Sequence, residues 1–580
     1  MKRIGLPLLF LGLSLTFSGC EDLLDKKPLD KISSADLWNS EGLIDGYMVD
    51  LYARVTPMYS WVQFTEDDWS DDIHSDNNNA VPRETITNSH DAGWNQYGII
   101  RLCNQAIEQV AKSEVLSQDM ITQYTAEART LRAMVYFRMV RNFGGVMLVD
   151  KVLDPNSDMK LPRTSEDKVY DFIIDDLRFA KDNLPVSTYL GRLNRASAHA
   201  LLIRVLLQAH RYDDVVTEGK SFIETNGNYG YTIDPNFHGI FNDFETGQES
   251  TETIFLRYGT SDGMMMDWTP MQFRLPLSTG EGDKLGVIND YDRNLYGWAM
   301  CYPTQDLVDD YLVVDEDGVA KKWSDTKIWK DSYASGKKLA TQAMYKNRDK
   351  RFYSSIIYDG CIYLNDTINI RPPYWNHRTS MDRNLHRGMT GYNIRKGMYD
   401  DVPDWAWPPP EQDYHWPLLR LSEVYLNYAE ALIRTNKADL ALPYINATRT
   451  IHGELPAIAS TDNIWEDYKR ERRCELAFEN LRYWDLIRWA EYDKKETVDE
   501  LNRDPTYIDF NSDGTKYVIM TINGKYVSGD KEMYDALPNR VYNNGNVQPE
   551  RVFTKKRFRF PVPKSEILEN ENLVQNPGWE

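Results

Sequence analysis

The stretch YKRERRCELAFENLRYWDLIRW, residues 468–489, places apolar residues three and four apart between dense charges, the spacing of a helix with one buried face. Glu471, Glu475 and Glu479 recur every fourth residue and therefore share one side of that helix, with Arg472, Arg473, Arg482 and Arg488 close by. A glycosidase acid/base pair needs two carboxyls facing each other across a sugar at about 5 to 10 Å, normally from different elements. A stripe on one helix, interleaved with arginines, reads instead as i, i+4 pairing and salt bridges between helices.

Outward from this segment the same periodicity returns at 36–56, 94–112, 119–143, 166–184, 195–225 and 418–451, with 463–492 enclosing the opening stretch. Two of these blocks repeat one layout. RASAHALLIRVLLQAHRYDDVVTEGKSFIE (195–224) and LSEVYLNYAEALIRTNKADLALPYINATR (421–449) both read as helix, polar turn, helix, with small residues at close-packing positions, similar to tetratricopeptide units. Between the helical blocks, 57–93, 226–302, 315–417 and 494–560 are rich in Gly, Pro, Asn, Asp and aromatics. Short strands are expected there at ETIFLRY (252–258) and KYVIMTI (516–522).

The 580 residues, 42% hydrophobic and 27% charged, are those of a folded protein able to bury a large core. A formal net charge of -21 opposes binding to nucleic acid, anionic membranes and polyanionic substrates, and favours a neutral ligand, although a local basic pocket could override the global field. Residues 1–19 form a block of their own: Lys2 and Arg3, an apolar run from Ile4 to Phe17, then Ser18 and Gly19. That is a secretory signal layout, too short to span a bilayer. Phe17-Ser18-Gly19-Cys20 looks like a bacterial lipobox, which makes Cys20 a lipidation site and residues 20–34 a polar tether. Glu21 and Asp22 resemble the signal that sends such lipoproteins to the outer face of the outer membrane.

Cys103, Cys301, Cys361 and Cys474 have no paired spacing, and Cys103 and Cys474 lie in helical patterns as buried thiols. There is no CxxC or HExxH, and no cofactor is expected. DFNSDG (509–514) begins like a calcium loop, but its twelfth position is Met520 where a carboxylate is required, so a hairpin turn is expected. The acidic run EDDWSDDIHSDNNN (66–79) could hold a structural calcium, with a solvated or ligand-facing loop as its default reading.

EARTLRAMVYFRMVRNFGGVML (127–148), RTSEDKVYDFIIDDLRFAKDNLP (163–185), PTQDLVDDY (303–311), NRDKRFYSSIIY (347–358), TGYNIRK (390–396), LRLSEVYLNYAEAL (419–432), the opening stretch and FPVPKSEILENENLVQNPGW (560–579) together resemble the SusD/RagB family. Lys350 and Met147 stand where that family favours Pro, both in scaffold segments. The resemblance implies a mainly α fold of four tetratricopeptide-like helix pairs with an irregular loop-rich layer and a few short strands. It implies one domain over 35–580, with the scaffold at about 35–225 and 418–492 and the binding layer at about 57–97, 226–417 and 494–560. It also implies a non-catalytic, outer-membrane, lipid-anchored protein that captures oligosaccharides and delivers them to a SusC-like TonB-dependent transporter. A surface glycoside hydrolase and a tetratricopeptide adaptor for proteins or peptides are the competing readings.

Sugars are held by aromatic rings against their C–H faces and by side chains that bind paired hydroxyls. The family builds its site largely from loops corresponding to 61–97 and 268–302. The expected site therefore combines Trp69, Asp71, Asp72 and Trp94 with Tyr296, Trp298 and Cys301 beside the PTQ motif, and Arg371 and Tyr399 close it. The residue types suit fructans, xylans, glucans, mannans and host glycans equally.

Overall fold

A computed structural model describes residues 34–56, 65–75, 80–260, 277–278, 295–296, 301–334, 340–363, 366–372, 389–400, 413–537 and 550–580. Cys20, Trp61 and Trp298 lie outside these residues.

Ten helices carry the scaffold: α1 (Glu41–Val55), α2 (Tyr97–Val110), α3 (Gln118–Phe143), α4 (Glu166–Asn183), α5 (Arg195–Gln208), α6 (Tyr212–Lys220), α7 (Leu421–Arg434), α8 (Ala438–Ile451), α9 (Ile464–Glu475) and α10 (Arg482–Tyr492). From α2 to α6 each packs on the next; α7 then lies on both α5 and α6, and α8 and α9 follow. In chain order α3/α4, α5/α6 and α7/α8 pack as helix pairs, and α9 and α10 follow, joined by the Arg472–Asp485 ion pair. The two repeat-like blocks are thus direct neighbours. A Cβ at Gly219 on α6 would fall 2.5 Å from the Tyr428 ring on α7, so the small residue is what lets these helices approach.

The polar turns expected inside the two repeat-like blocks form at residues with left-handed backbone, and the helical segment expected over 463–492 is split in the same way. His210 (φ 57) separates α5 from α6, Asn436 (φ 59) separates α7 from α8, and Phe478 (φ 65) with Asn480 (φ 59) divides α9 from α10. Apolar periodicity runs through such corners, because the chain reverses while keeping its apolar face inward.

The loop-rich layer carries strands β1 (Ile73–Ser75), β2 (Thr253–Gly259), β3 (Cys301–Pro303), β4 (Ile356–Tyr358), β5 (Tyr392–Ile394), β6 (Tyr414–Arg420), β7 (Thr506–Phe510), β8 (Tyr517–Thr521) and β9 (Tyr526–Gly529). β2 pairs antiparallel with β6, from Thr253↔Arg420 to Tyr414↔Gly259. Departing and returning chain are thereby stapled together, and β6 runs straight into α7, so the long excursion leaves the helical array uninterrupted. β7 and β8 form the hairpin expected around DFNSDG; Asp513 accepts from Thr515 N and Oγ1 and so caps the turn. The four cysteines after Cys20 are free and buried.

One apolar core fills the helical array, and a second, around Phe237, Tyr311, Phe352 and Tyr392, fills the loop layer. A buried ionic joint lies between them. Glu475 accepts from Arg351 Nη1 (2.8 Å), from Arg420 and from His452 Nδ1 (3.0 Å). Glu471 takes Arg351 and Thr448, Glu479 takes Arg420 and Lys396, and Glu252 takes Arg420, Ser422 and His452. The partners of the glutamate stripe therefore come from β6, α8, residue 351 and residue 396; the expected i, i+4 pairs within the helix do not form.

Glu252, His452 and Glu475 are close enough to suggest a metal centre. However, His452 hydrogen-bonds through both ring nitrogens, to Glu475 and to the Asp234 carbonyl, as an imidazolium would. Burial alone would lower its pKa, but the Glu475 and Glu252 carboxylates overcome that and push it from 6.5 up to about 10. A protonated ring has no lone pair to give a metal.

Two outcomes follow from this joint. Arg420→Met leaves Glu252, Glu475 and Glu479 without a shared cation and lowers stability by about 3–5 kcal/mol in urea unfolding. The His452 contribution is complete below pH 6.5, shrinks above it and is lost as pH rises through about 10. The melting temperature accordingly falls across that interval, and His452→Gln flattens the fall; an unchanged slope in the variant would refute the pairing.

Candidate ligand site

The acidic run folds inward. Glu66 accepts both contacts from Arg141 Nη2 (3.1 and 3.0 Å) and one from Trp484 Nε1 (3.0 Å). Asp71 pairs with Arg482 (2.9 and 3.1 Å) and Arg473 (2.9 Å), and Asp72 pairs with Arg473 (2.7 Å). Burial raises both aspartates; Arg473 and Arg482 reverse this at Asp71, while Asp72, beside the Asp71 charge, stays above its ordinary value. Trp69 is enclosed edge-on by Tyr483 (5.4 Å) and Phe560 (5.3 Å), and Trp94 is fully buried against Phe143 (5.1 Å).

The expectation that Trp69, Asp71, Asp72 and Trp94 face a ligand is therefore corrected. Their rings and carboxylates are occupied by the scaffold: Trp69, Asp71 and Asp72 fasten the loop after α1 onto α9 and α10, and Trp94 packs on Phe143 of α3. Arg473 and Arg482 were the missing half of the pattern: a cluster of aspartates in a chain with an equally dense arginine cluster on a helix is a pairing signal.

The two loops expected to build the site do meet. β1 pairs with β3, Ser75↔Cys301 and Ile73↔Pro303, and Thr304 Oγ1 donates to the Asp71 carbonyl (2.6 Å). Cys301 is buried in this ladder, a packing thiol with no face for a sugar. Tyr296 pairs through its backbone with Leu277. Arg371 is held by Asp359 (2.6 Å) against the Gly514 turn, and Tyr399 is buried with its hydroxyl on His415 Nδ1 (2.7 Å). Arg371 and Tyr399 thus brace the loop layer, and among the described residues neither lines the two spaces described next.

Two spaces open beside this lattice. A polar cleft of about 280 Å³ is lined by Asp71, Asp306, Asp310, Arg473 and Arg503, whose charges largely satisfy one another. A cavity of about 230 Å³ lies between α3, α5, β6 and the turn at 479–481. Phe137, Leu201 and Trp416 supply its apolar wall, while Glu66, Arg138, Arg141, Arg204 and Glu479 bring charge to it. Arg138 sits within the scaffold motif 127–148. The clue to it was an arginine on the face shared by Met134 and Arg141, one or two turns away.

Comparison with known proteins follows the fold. The model of the SusD family matches residues 251–579, and a second model, described as starch-binding associating with outer membrane, matches 22–207. A SusD-like protein of Bacteroides ovatus is 23% identical over 97% of this chain and 96% of its own length. SusD-like protein P2 of Formosa agariphila is 22% identical over 98% and 99%. The crystal structure of a SusD-like protein from Bacteroides fragilis aligns with a TM-score of 0.75 at 26% identity, covering 95% of this chain and all of that one. A SusD-like carbohydrate binding protein from the same species aligns at 0.73 and 21% identity, over 93% of this chain and all of its own. With family models matching on both sides of the β2/β6 staple, and one of them covering more than half of the sequence, this chain belongs to the SusD/RagB family.

Proposed function

We propose that the protein captures oligosaccharides at the outer face of the outer membrane and passes them, unaltered, to a SusC-like TonB-dependent transporter. Family membership carries this reading: both models and the aligned carbohydrate-binding protein belong to a sugar-binding, outer-membrane-associated group. The carboxylates singled out in the sequence offer no free acid/base pair among themselves. Glu471, Glu475 and Glu479 are locked to arginine, histidine or lysine, as are Asp71 and Asp72 to arginine, and a glycosidase needs a carboxylic acid and a carboxylate free to reach substrate.

The lipid anchor is placed at Cys20, with 20–34 as a tether and 35–580 as one domain. Two acyl chains or more hold a protein stably on a membrane, and a short leash leaves the domain free to swing over a transporter. The sugar-facing aromatics are assigned to Tyr296 and Trp298, in the stretch that precedes β3 in the sequence.

Two measurements bear on this reading. In affinity gels containing candidate polysaccharides, the mature chain is retarded by at least one, Trp298→Ala loses the retardation, and the melting curve is unchanged; release of new reducing ends would instead identify a hydrolase. Cys20→Ala moves the protein from the outer membrane to the soluble fraction while gel retardation of the purified chain stays the same.

A further inference from the structure

The charges around the 230 Å³ cavity can be followed to their partners. Arg141 is committed to Glu66. Arg204 is committed to Glu423 (2.6 Å) and the Leu418 carbonyl (2.8 Å), and Glu479 is taken by Arg420 and Lys396. Arg138 remains. Among the described residues it makes no hydrogen bond or ion pair, although it projects from the middle of α3 into the cavity wall. Burial pushes its guanidinium down from the ordinary value; Glu66 relieves this in part and the neighbouring Arg141 adds to it. The Arg141 Nε beside it is buried without a hydrogen-bond partner.

The other charges at the cavity are spent on protein partners, whereas the Arg138 guanidinium, partly buried and still reached by solvent, is not. An open space beside the exception is where a counter-charge would enter. The cavity is smaller than the roughly 300–1,000 Å³ usual for drug-sized ligands, which suits one sugar ring and excludes a chain. Phe137 and Trp416 offer apolar surface for the ring's C–H face.

We propose that this cavity receives one acidic sugar unit, bearing a carboxylate or a sulfate ester, with Arg138 supplying the counter-charge. The inference rests on the reading that the ligand is a saccharide and narrows its class. The net charge of -21 opposes a polyanion, so the fitting glycan is largely neutral with an isolated acidic unit.

Calorimetry on the mature full chain tests this with D-glucuronate, D-glucose 6-sulfate and D-glucose as probes. One acid binds at one site per protein, glucose gives no heat, and Arg138→Gln weakens the acid about 30-fold. Glucuronate binding identifies a carboxylate, and glucose 6-sulfate binding a sulfate ester. Arg138→Met leaves the ligand-free melting temperature close to the parent's, so that lost binding is not lost fold. The proposal is overturned if neither acid binds or if Arg138→Gln binds as the parent does. Retention of neutral polysaccharide together with indifference to both acids refutes this proposal alone. Binding of an acid without retention of any polysaccharide refutes the capture reading alone.

Discussion

Glu475 is the hinge pin of the structure. Its carboxylate, with no accessible surface, is shared by Arg351 from the loop layer, Arg420 from the end of the stapling strand and His452 from the end of α8. Taking so many charges out of water is costly, and a hydrophobic joint of equal volume would be at least as stable. A fully satisfied ionic joint differs in its demand for one geometry: a small slip between the layers leaves a charge unmet in low dielectric, where the penalty is greatest. The register of the helical array on the loop layer is therefore set here, and the pairing of β2 with β6 follows from it, since Arg420 and Glu252 stand at the end of those strands.

The same principle governs the arginines of α9 and α10. Arg472 spans to Asp485 on α10, Arg488 pairs with Glu430 on α7, and Arg473 reaches Asp72 in the loop after α1. The first ties consecutive helices together, and the other two join segments far apart in the chain. At the cavity wall the same pairing takes up Arg141, Arg204 and Glu479, and Arg138 alone of the arginines there makes no ion pair among the described residues.

Much of the fold was legible in the residues. The helical segments, the strand at 253–259, the hairpin after 506 and the kinship of the two repeat blocks all follow from local spacing, since positions three and four apart share a helix face whatever the distant context. The turns at His210 and Asn436 were legible as polar breaks between helices, whereas the corner at Phe478 was not, because a reversal that keeps the apolar face inward leaves the period intact. The site was read less well. An acidic, tryptophan-bearing loop has the composition of a sugar platform and also that of a salt-bridged plug, and composition does not separate them. Trp94 and Trp69 differ from an exposed platform only in what surrounds them.

The sequence by itself determined the helical class, the family motifs and the family-level expectation of sugar binding, because these reside in short-range patterns and in the order of motifs along the chain. Only the tertiary structure decided which charges are spent. Asp71 finds Arg482 across 411 residues, and Glu252 finds Arg420 across 168. A side chain is free to meet a ligand only after every such partner is known, and Coulomb pairing depends on distance in space, which the order of residues does not contain.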